Sequence, residues 1–260
     1  MKLNNALYTK NNYLNKNLRY IKNTSIIEYD MESAGLNILT ELGFFSKEYR
    51  EELLSKDKLE RNIIIGKLLK KDPSMVEALE DGFCEARKIF IEKNNITDHE
   101  ILAIKRDAIY LLDRMTGIDG NISDLIKIRP KHYYNTYINI LGKEHYFNTS
   151  TEEFDVKGYP KEIIEHHNNF LFKELKKCLT LDYINDKDNL FLYLASLKDN
   201  MVTFNLDKGY YLDIRHGQYL IRDILEGNFV ALPDINDDGK NITYYSNNLS
   251  FILDIIYSVL

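Results

Sequence analysis

The sequence predicts an α+β protein, with an antiparallel sheet and helices in its N-terminal half and a mainly helical C-terminal half. Two apolar segments that end in or surround carboxylates, residues 26–33 and 101–112, predict the central strands. Three amphipathic segments, 46–54, 57–70 and 75–93, predict helices in the same half. These patterns are local, so they predict the elements and leave the packing between them open.

The composition is that of a folded protein with a sizeable core. The chain has 260 residues, 44% of them hydrophobic, and only 12 glycines and 4 prolines. Its net charge of -6 argues against a surface covered in positive charge, although a local basic cleft is compatible with it. The sequence has neither a long apolar run nor the apolar core of a signal peptide, so we expect a cytoplasmic protein without a membrane partner. Cys84 and Cys178 lack metal-binding spacing, which predicts free thiols.

The two predicted strand segments carry the residues of chemical interest. The run at 26–33 is typical of a buried strand that delivers Asp30 to a sheet edge, and the segment at 101–112 predicts a tight hairpin with Asp107 at or near its turn. If the two segments are neighbours, Asp30 and Asp107 face each other across the sheet. Two convergent carboxylates make a site for divalent metal.

The helix predicted at 57–70 carries a polar face. Lys58, Arg61 and Asn62 fall at positions i, i+3 and i+4 and therefore share one side of the helix. Pro73 is expected to end this helix, because proline cannot continue a helical hydrogen-bond ladder.

The remaining elements follow from shorter signals. Ser33 is predicted to cap a short helix whose Leu36 and Leu39 turn inward. The polar stretch at 149–159 predicts a boundary between a first domain, 1–150, and a second, 151–260. We also predict strands at 125–129 and 210–214, helices at 161–179, 186–204, 218–225 and 246–260, and a turn at 117–121.

Three segments in order are similar to motifs of the family B DNA polymerases. Residues 30–38, D-M-E-S-A-G-L-N-I, resemble the D-x-x-S-L-Y-P-S-I pattern of motif A, and residues 58–66 resemble the K-x-x-x-N-S-x-Y-G pattern of motif B. Residues 104–109 lie where motif C, Y-G-D-T-D-S-V, follows on a hairpin. The order of the motifs and their placement on strand, helix and hairpin agree with that family.

The resemblance implies a palm-like first domain with short fingers-like helices and a thumb-like or accessory second domain. It implies a metal site for Mg²⁺ or Mn²⁺, in which Asp30 matches the aspartate of motif A, Asp107 the second aspartate of motif C, and the Met31 carbonyl a further ligand. The activity implied is template-dependent nucleotide transfer to a 3'-hydroxyl, with nucleic acid and nucleoside triphosphates as partners.

The same resemblance implies ligands for the triphosphate. Lys58 matches the triphosphate-binding lysine of motif B, and Asn62 matches the asparagine one turn later. Arg50, on the preceding predicted helix, and Arg61 are further candidate phosphate ligands.

Other interpretations stay open. Lys105 stands where motif C has its first aspartate, which favours a non-catalytic binding or assembly protein with a protein partner, in a phage particle or replication complex. Asp30 and Glu32 also fit the D-x-E of a two-metal exonuclease.

Residues 234–239 resemble the first half of an EF-hand calcium-binding loop, but Tyr245 replaces its final glutamate, so we interpret them as a polar turn. The small size and the Asn, Lys and Ile content point to a viral or mobile-element origin.

Geometry separates the two main interpretations. Carboxylates of Asp30 and Asp107 within roughly 4 to 6 Å of each other and opposite Lys58 favour the enzyme, since paired catalytic ions stand about 3.5 to 4 Å apart. Carboxylates that point apart or into salt bridges favour the binding protein.

Overall fold

The chain forms two compact units in a computed structural model of the protein. Unit 1 comprises residues 1–17 and 24–133, and unit 2 comprises residues 18–23 and 134–260. The structure describes residues 7–114, 116–140, 142–181, 186–203, 205–211, 220–223, 229–231 and 242–243. None of the helices in these ranges combines the length and the apolar character that a membrane span requires.

Unit 1 contains the predicted antiparallel sheet. In this unit the strands lie in the order β1-β3-β4-β2-β5, and the pairs β1/β3, β3/β4 and β4/β2 are antiparallel. The later residues of β2 and the earlier residues of β5 belong to this unit. The strands are β1 (Asn12–Leu14), β2 (Tyr20–Met31), β3 (Ile101–Lys105), β4 (Ala108–Leu112) and β5 (Ile128–Ile140).

The helices of unit 1 connect β2 to β3. The side chains of Ser46 and Asp57 accept hydrogen bonds from the backbone N–H groups of Tyr49 and Glu60, which confirms both as capping residues. The α+β class is therefore confirmed, with helices and an antiparallel sheet in the N-terminal half. The helices are α1 (Ala34–Glu41), α2 (Lys47–Leu54), α3 (Lys58–Lys71) and α4 (Pro73–Lys93).

Three local predictions for unit 1 need correction. Ser33 precedes α1, but its side chain makes no capping bond, because the residue leaves β2 in a left-handed conformation with φ 46° and ψ 43°. The end of α3 before Pro73 is confirmed, but the helix predicted at 75–93 begins at Pro73 itself, whose fixed φ suits the first helical turn. The strand predicted at 125–129 begins at Ile128 and continues through the aromatic segment to Ile140.

Unit 2 builds a second core around the ends of β2 and β5. Strands β6 and β7 extend this part of the sheet as antiparallel neighbours, and Ile138, Phe147 and Phe172 are among the residues buried between sheet and helices. A small second sheet has the order β10-β8-β9. The elements are β6 (Lys143–Phe147), β7 (Phe154–Lys157), α5 (Lys161–His167), α6 (Leu171–Thr180), α7 (Lys187–Val202), β8 (Leu220–Asp223), β9 (Phe229–Ala231) and β10 (Ile242–Thr243).

The domain division differs from the one predicted near residue 150. That position lies inside unit 2, between β6 and β7, and the polar stretch at 149–159 contains β7 and the turn before it. Because β6 and β7 pair with each other and β6 pairs with the end of β5, the division falls earlier, at residue 133.

Several predicted elements of unit 2 also change. The helix expected at 161–179 is two helices, because Asn168 and Asn169 favour helix ends and Phe170 leaves helical geometry with φ -128° and ψ -103°. The segment 218–225 was expected to be a helix, but it contains strand β8. A short apolar run fits either structure, and here it pairs with β9. The strand expected at 210–214 begins inside a short 3₁₀ helix, Lys208–Tyr211. Residues 212–214, 234–239 and 246–260 lie outside the described residues.

Candidate active site

The first carboxylate lies near the C-terminal end of β2. Successive side chains of a strand point to opposite faces, and Ile27, Tyr29 and Met31 are buried in the core of unit 1. Asp30 therefore lies on the other face, together with Glu28, which is two residues away. The strand ends at Met31, so Asp30 stands close to the end of the strand, as the sequence predicts.

The second carboxylate lies in the turn of the β3/β4 hairpin. Lys105 pairs with Ala108, which leaves Arg106 and Asp107 as a two-residue turn and confirms the predicted hairpin. Strand β4 is also the neighbour of β2, with Asp30 opposite Ala108 in the register. The two acidic segments are therefore adjacent in the sheet.

A buried arginine on α4 is hydrogen-bonded to the backbone of this turn. Arg87 is fully buried and donates hydrogen bonds to the carbonyls of Tyr8 and Arg106 and to the side chain of Asn11. Arg106 adopts a left-handed φ of 56°, which is uncommon for a residue other than glycine. Arg87 thus supports the residue that directly precedes Asp107. The sequence carries one signal for it: a charged residue at helical spacing from Phe83 and Phe90 on an apolar face.

Helix α3 brings the predicted basic residues to the same place. The three residues Lys58, Arg61 and Asn62 lie on one face of the helix, as their spacing predicts, and all three line a cavity that also contains Asp30 and Asp107. This cavity has a volume of about 640 Å³. Its other lining residues are Met31, Glu32, Ser33, Ala34, Gly35, Leu36, Ile65, Gly66 and Leu69.

The two carboxylates act on each other electrostatically. Burial raises the pKa of Asp107 above its ordinary value, and the negative charge of Asp30 raises it further. The positive charges of Lys131 and Arg106 oppose that shift. A raised carboxyl pKa beside a second carboxylate is typical of two acidic groups that share one site, and a cation placed between them offsets the repulsion.

Lys131 on β5 is the residue that sequence reasoning missed. Its Nζ lies 2.8 Å from Oδ2 of Asp30 and 3.8 Å from Oε1 of Glu28. The ion pair with Asp30 raises the pKa of the Lys131 ammonium. The sequence marks this residue only as a lysine at the start of an aromatic segment, because its role depends on the placement of β5 next to β2.

Comparison with known proteins identifies the family of the chain. The family model described as bacteriophage PBS1 gene 130 protein matches residues 1–260, the whole sequence. The protein belongs to this phage family. The match supports the predicted phage origin, and the family description names a gene and no activity. A search of curated proteins found no match.

In this phage protein, the predicted phosphate ligand Arg50 and the residue at the first aspartate position of motif C, Lys105, contact other partners. Arg50 is absent from the lining of the cavity: its Nε donates to Oδ1 of Asn37 over 2.9 Å, and its guanidinium pairs with Glu51. Lys105 also lies outside the lining, with its Nζ 3.4 Å from Oδ1 of Asn12. Lys105 is therefore not one of the cavity residues, although it occupies the first aspartate position of the motif.

Two carboxylates, those of Asp30 and Asp107, line the cavity, and Met31 lines it beside them. Mg²⁺ is typically held by one or two carboxylates together with water and substrate phosphates. No cluster of three or more His, Cys, Asp or Glu side chains suited to a metal occurs in the described part of the chain. The residues therefore fit a metal that a substrate helps to bind, and not a cage built by the protein alone.

Proposed function

We propose that this phage protein is a minimal two-metal nucleotidyltransferase, similar to a template-dependent DNA polymerase with a palm-like first domain, that acts in the host cytoplasm. One observation carries the proposal: a single cavity gathers Asp30, Asp107, Lys58, Arg61 and Asn62. These residues come from a strand, a hairpin turn and a helix, and 77 positions separate the first from the last. The two acids and two cations in this cavity are residues to which the resemblance assigns metal and triphosphate binding.

In this proposal the acidic side of the cavity holds the metal. Asp30, Asp107 and the Met31 carbonyl would bind Mg²⁺ or Mn²⁺. When bound, the metal ions activate the 3'-hydroxyl and neutralise the triphosphate and the leaving pyrophosphate. The raised pKa of Asp107 supports this assignment, because the carboxyl pair gains most from a cation that offsets both negative charges.

The basic side of the cavity would hold the triphosphate. Lys58 occupies the first position of α3, and Arg61 follows one turn later, so two cations stand near the same end of the helix. The guanidinium of Arg61 has the fork geometry that suits phosphate oxygens. Asn62 adds a neutral hydrogen-bonding group beside them. A cavity of about 640 Å³ lies within the size range of small-ligand sites, roughly 300 to 1,000 Å³.

Primer extension tests the proposal. The full-length protein is incubated with a recessed DNA duplex, deoxynucleoside triphosphates and Mg²⁺ or Mn²⁺, beside Asp107→Asn and the control Asp81→Asn, which changes an exposed carboxylate of α4. We expect extension by the wild type and by Asp81→Asn and loss of extension in Asp107→Asn. Absence of extension and of Mn²⁺ binding in all three proteins would overturn the proposal.

A second function is favoured by a specific contact. The ion pair of Asp30 with Lys131 is the kind of salt bridge expected if the acidic residues serve a binding or assembly protein without catalysis. In that case the partner is another protein of the phage particle or of its replication complex. Asp30 and Glu32 also line the cavity together, so the exonuclease interpretation is tested on the same duplex by following loss of the 3'-terminal nucleotide.

A further inference from the structure

The ammonium of Lys131 lies among carboxylates. Its nearest partner is Asp30, at 2.8 Å, and its second is Glu28, at 3.8 Å. The negative charge of Asp107 acts on the same ammonium. Lys131 thus places a positive charge on the carboxylate that the proposed function assigns to a metal ion.

The charges of this group leave room for one more cation. Glu28, Asp30 and Asp107 together carry three negative charges when ionised, and Lys131 offsets one of them. The Oδ2 atom of Asp30 accepts a hydrogen bond from Lys131, so a metal ion that takes this oxygen as a ligand meets a second cation at the same atom and is repelled by it. The side chain of Lys131 is 43% exposed and has a flexible stem, so it can turn into solvent.

We propose that Lys131 and a divalent cation compete for the carboxylate of Asp30. This inference rests on the proposed function, because it assumes that Asp30 is a metal ligand. In the metal-free protein Lys131 keeps the acidic group partly neutralised. Metal binding releases the lysine, so half-occupation of the site requires a higher divalent-ion concentration than the carboxylates alone would require.

The ion pair of Lys131 with Asp30 is half-exposed and therefore a weak competitor, which limits how much its removal can change the metal affinity. Exposed pairs of this kind contribute little to stability, so removing the ammonium is expected to tighten metal binding about twofold to fivefold. The direction of the change in metal affinity distinguishes a competing lysine from one that supports the fold or the substrate. A lysine that only stabilises the fold or binds substrate gives no tighter metal binding when it is removed.

Binding of Mn²⁺ alone tests the inference without any activity readout. The full-length wild type, Lys131→Met and the control Lys157→Met are titrated with Mn²⁺, and the free ion is followed by electron paramagnetic resonance. The control removes a lysine that pairs with Asp155 in unit 2. Lys131→Met and Lys157→Met therefore change the net charge by the same amount. We expect tighter binding for Lys131→Met only, and loss of that binding in the double variant Lys131→Met/Asp30→Asn.

The alternative outcomes separate the two proposals. Equal Mn²⁺ affinity of the wild type and Lys131→Met, or weaker binding by the variant, would overturn the competition and leave the metal site intact. Absence of Mn²⁺ binding in every protein would overturn the metal site and the competition with it. Circular dichroism of each variant before titration identifies loss of fold, and in that case the same titration on Lys131→Gln decides.

Discussion

The backbone N–H of Met31 donates a hydrogen bond to the carbonyl of Asp107 over 3.0 Å. This bond joins the last residue of β2 to the turn that carries the second carboxylate. The two acidic segments are therefore fixed to each other by the backbone, whatever their side chains bind. It follows that changes to the supporting residues, and not only to the carboxylates, are expected to alter the site.

Replacement of Arg87 by methionine is expected to destabilise unit 1. The substitution leaves the carbonyls of Tyr8 and Arg106 without their donor in a buried environment, which costs about 2 to 4 kcal/mol of the free energy of unfolding. Urea unfolding measures this loss. The control is Lys88→Met on the same helix, which removes an exposed pair with Glu85 and is expected to cost less than about 1 kcal/mol. Equal costs for the two variants would contradict the role of Arg87.

Replacement of Lys58 by methionine is expected to weaken nucleotide binding. A charge-assisted hydrogen bond to phosphate contributes about 1.5 to 3 kcal/mol, so the affinity for a nucleoside triphosphate is expected to fall about tenfold or more. Fluorescence titration with a labelled nucleotide measures the change. Lys70→Met, in the last turn of the same helix and outside the cavity, is the matched control. A similar loss of affinity in both variants would point to a general charge effect.

Gly82→Ala and Gly66→Ala are expected to change stability in opposite directions. A Cβ at Gly82 would lie 2.3 Å from Cγ2 of Ile38, a branched side chain with little freedom, so this variant is expected to lose about 1 to 3 kcal/mol. A Cβ at Gly66 meets no atom within 4 Å, so the better helix propensity of alanine is expected to add up to about 1 kcal/mol. Thermal unfolding compares both with the wild type, and a stabilised Gly82→Ala would disprove the close approach of α1 and α4.

His167 makes the stability of unit 2 depend on pH. The residue is fully buried, and neither ring nitrogen has a hydrogen-bond partner in the described part of the chain. Burial lowers its pKa to about 3, with smaller contributions from His166 and His145. Between pH 6.5 and about 3 the unfolded chain therefore takes up a proton that the folded protein excludes, and the free energy of unfolding falls as the pH falls.

Replacement of His167 by leucine is expected to remove this contribution. From pH 7 to pH 5 the wild type is expected to lose about 1 to 2 kcal/mol more than His167→Leu. Urea unfolding at both pH values measures the difference between the two losses, which cancels any packing cost of the substitution itself. Parallel losses in both proteins would show that His167 is accessible to protons in the folded state.

Local sequence signals predicted much of unit 1. The caps at Ser46 and Asp57, the strand that ends near Asp30 and the hairpin around Asp107 all follow from residues close to one another in the chain. The shared face of Lys58, Arg61 and Asn62 follows from helical spacing alone. Prediction that the two carboxylates share a cavity depended in addition on the pairing of β4 with β2, which no local signal shows.

Contacts between distant segments explain what the sequence did not predict. Lys131 pairs with Asp30 across 101 positions, and nothing near either residue indicates the partner. Arg50 was expected at the site because it precedes α3, but its nearest partners are Asn37 and Glu51. Strand β8 was predicted as a helix, since its few apolar residues fit both periodicities and only its pairing with β9 decides.

The two-residue turn at Arg106 and Asp107 makes the chain length of the hairpin as critical as its residue types. One inserted or deleted residue between Ala103 and Tyr110, beyond the irregularity in the pairing near Ile101, shifts the register by one position and exchanges the faces of the following side chains. Asp107 would leave the side of Asp30, and buried residues such as Ile109 would turn outward. Across the phage family, this hairpin is therefore expected to accept substitutions but to keep its length constant.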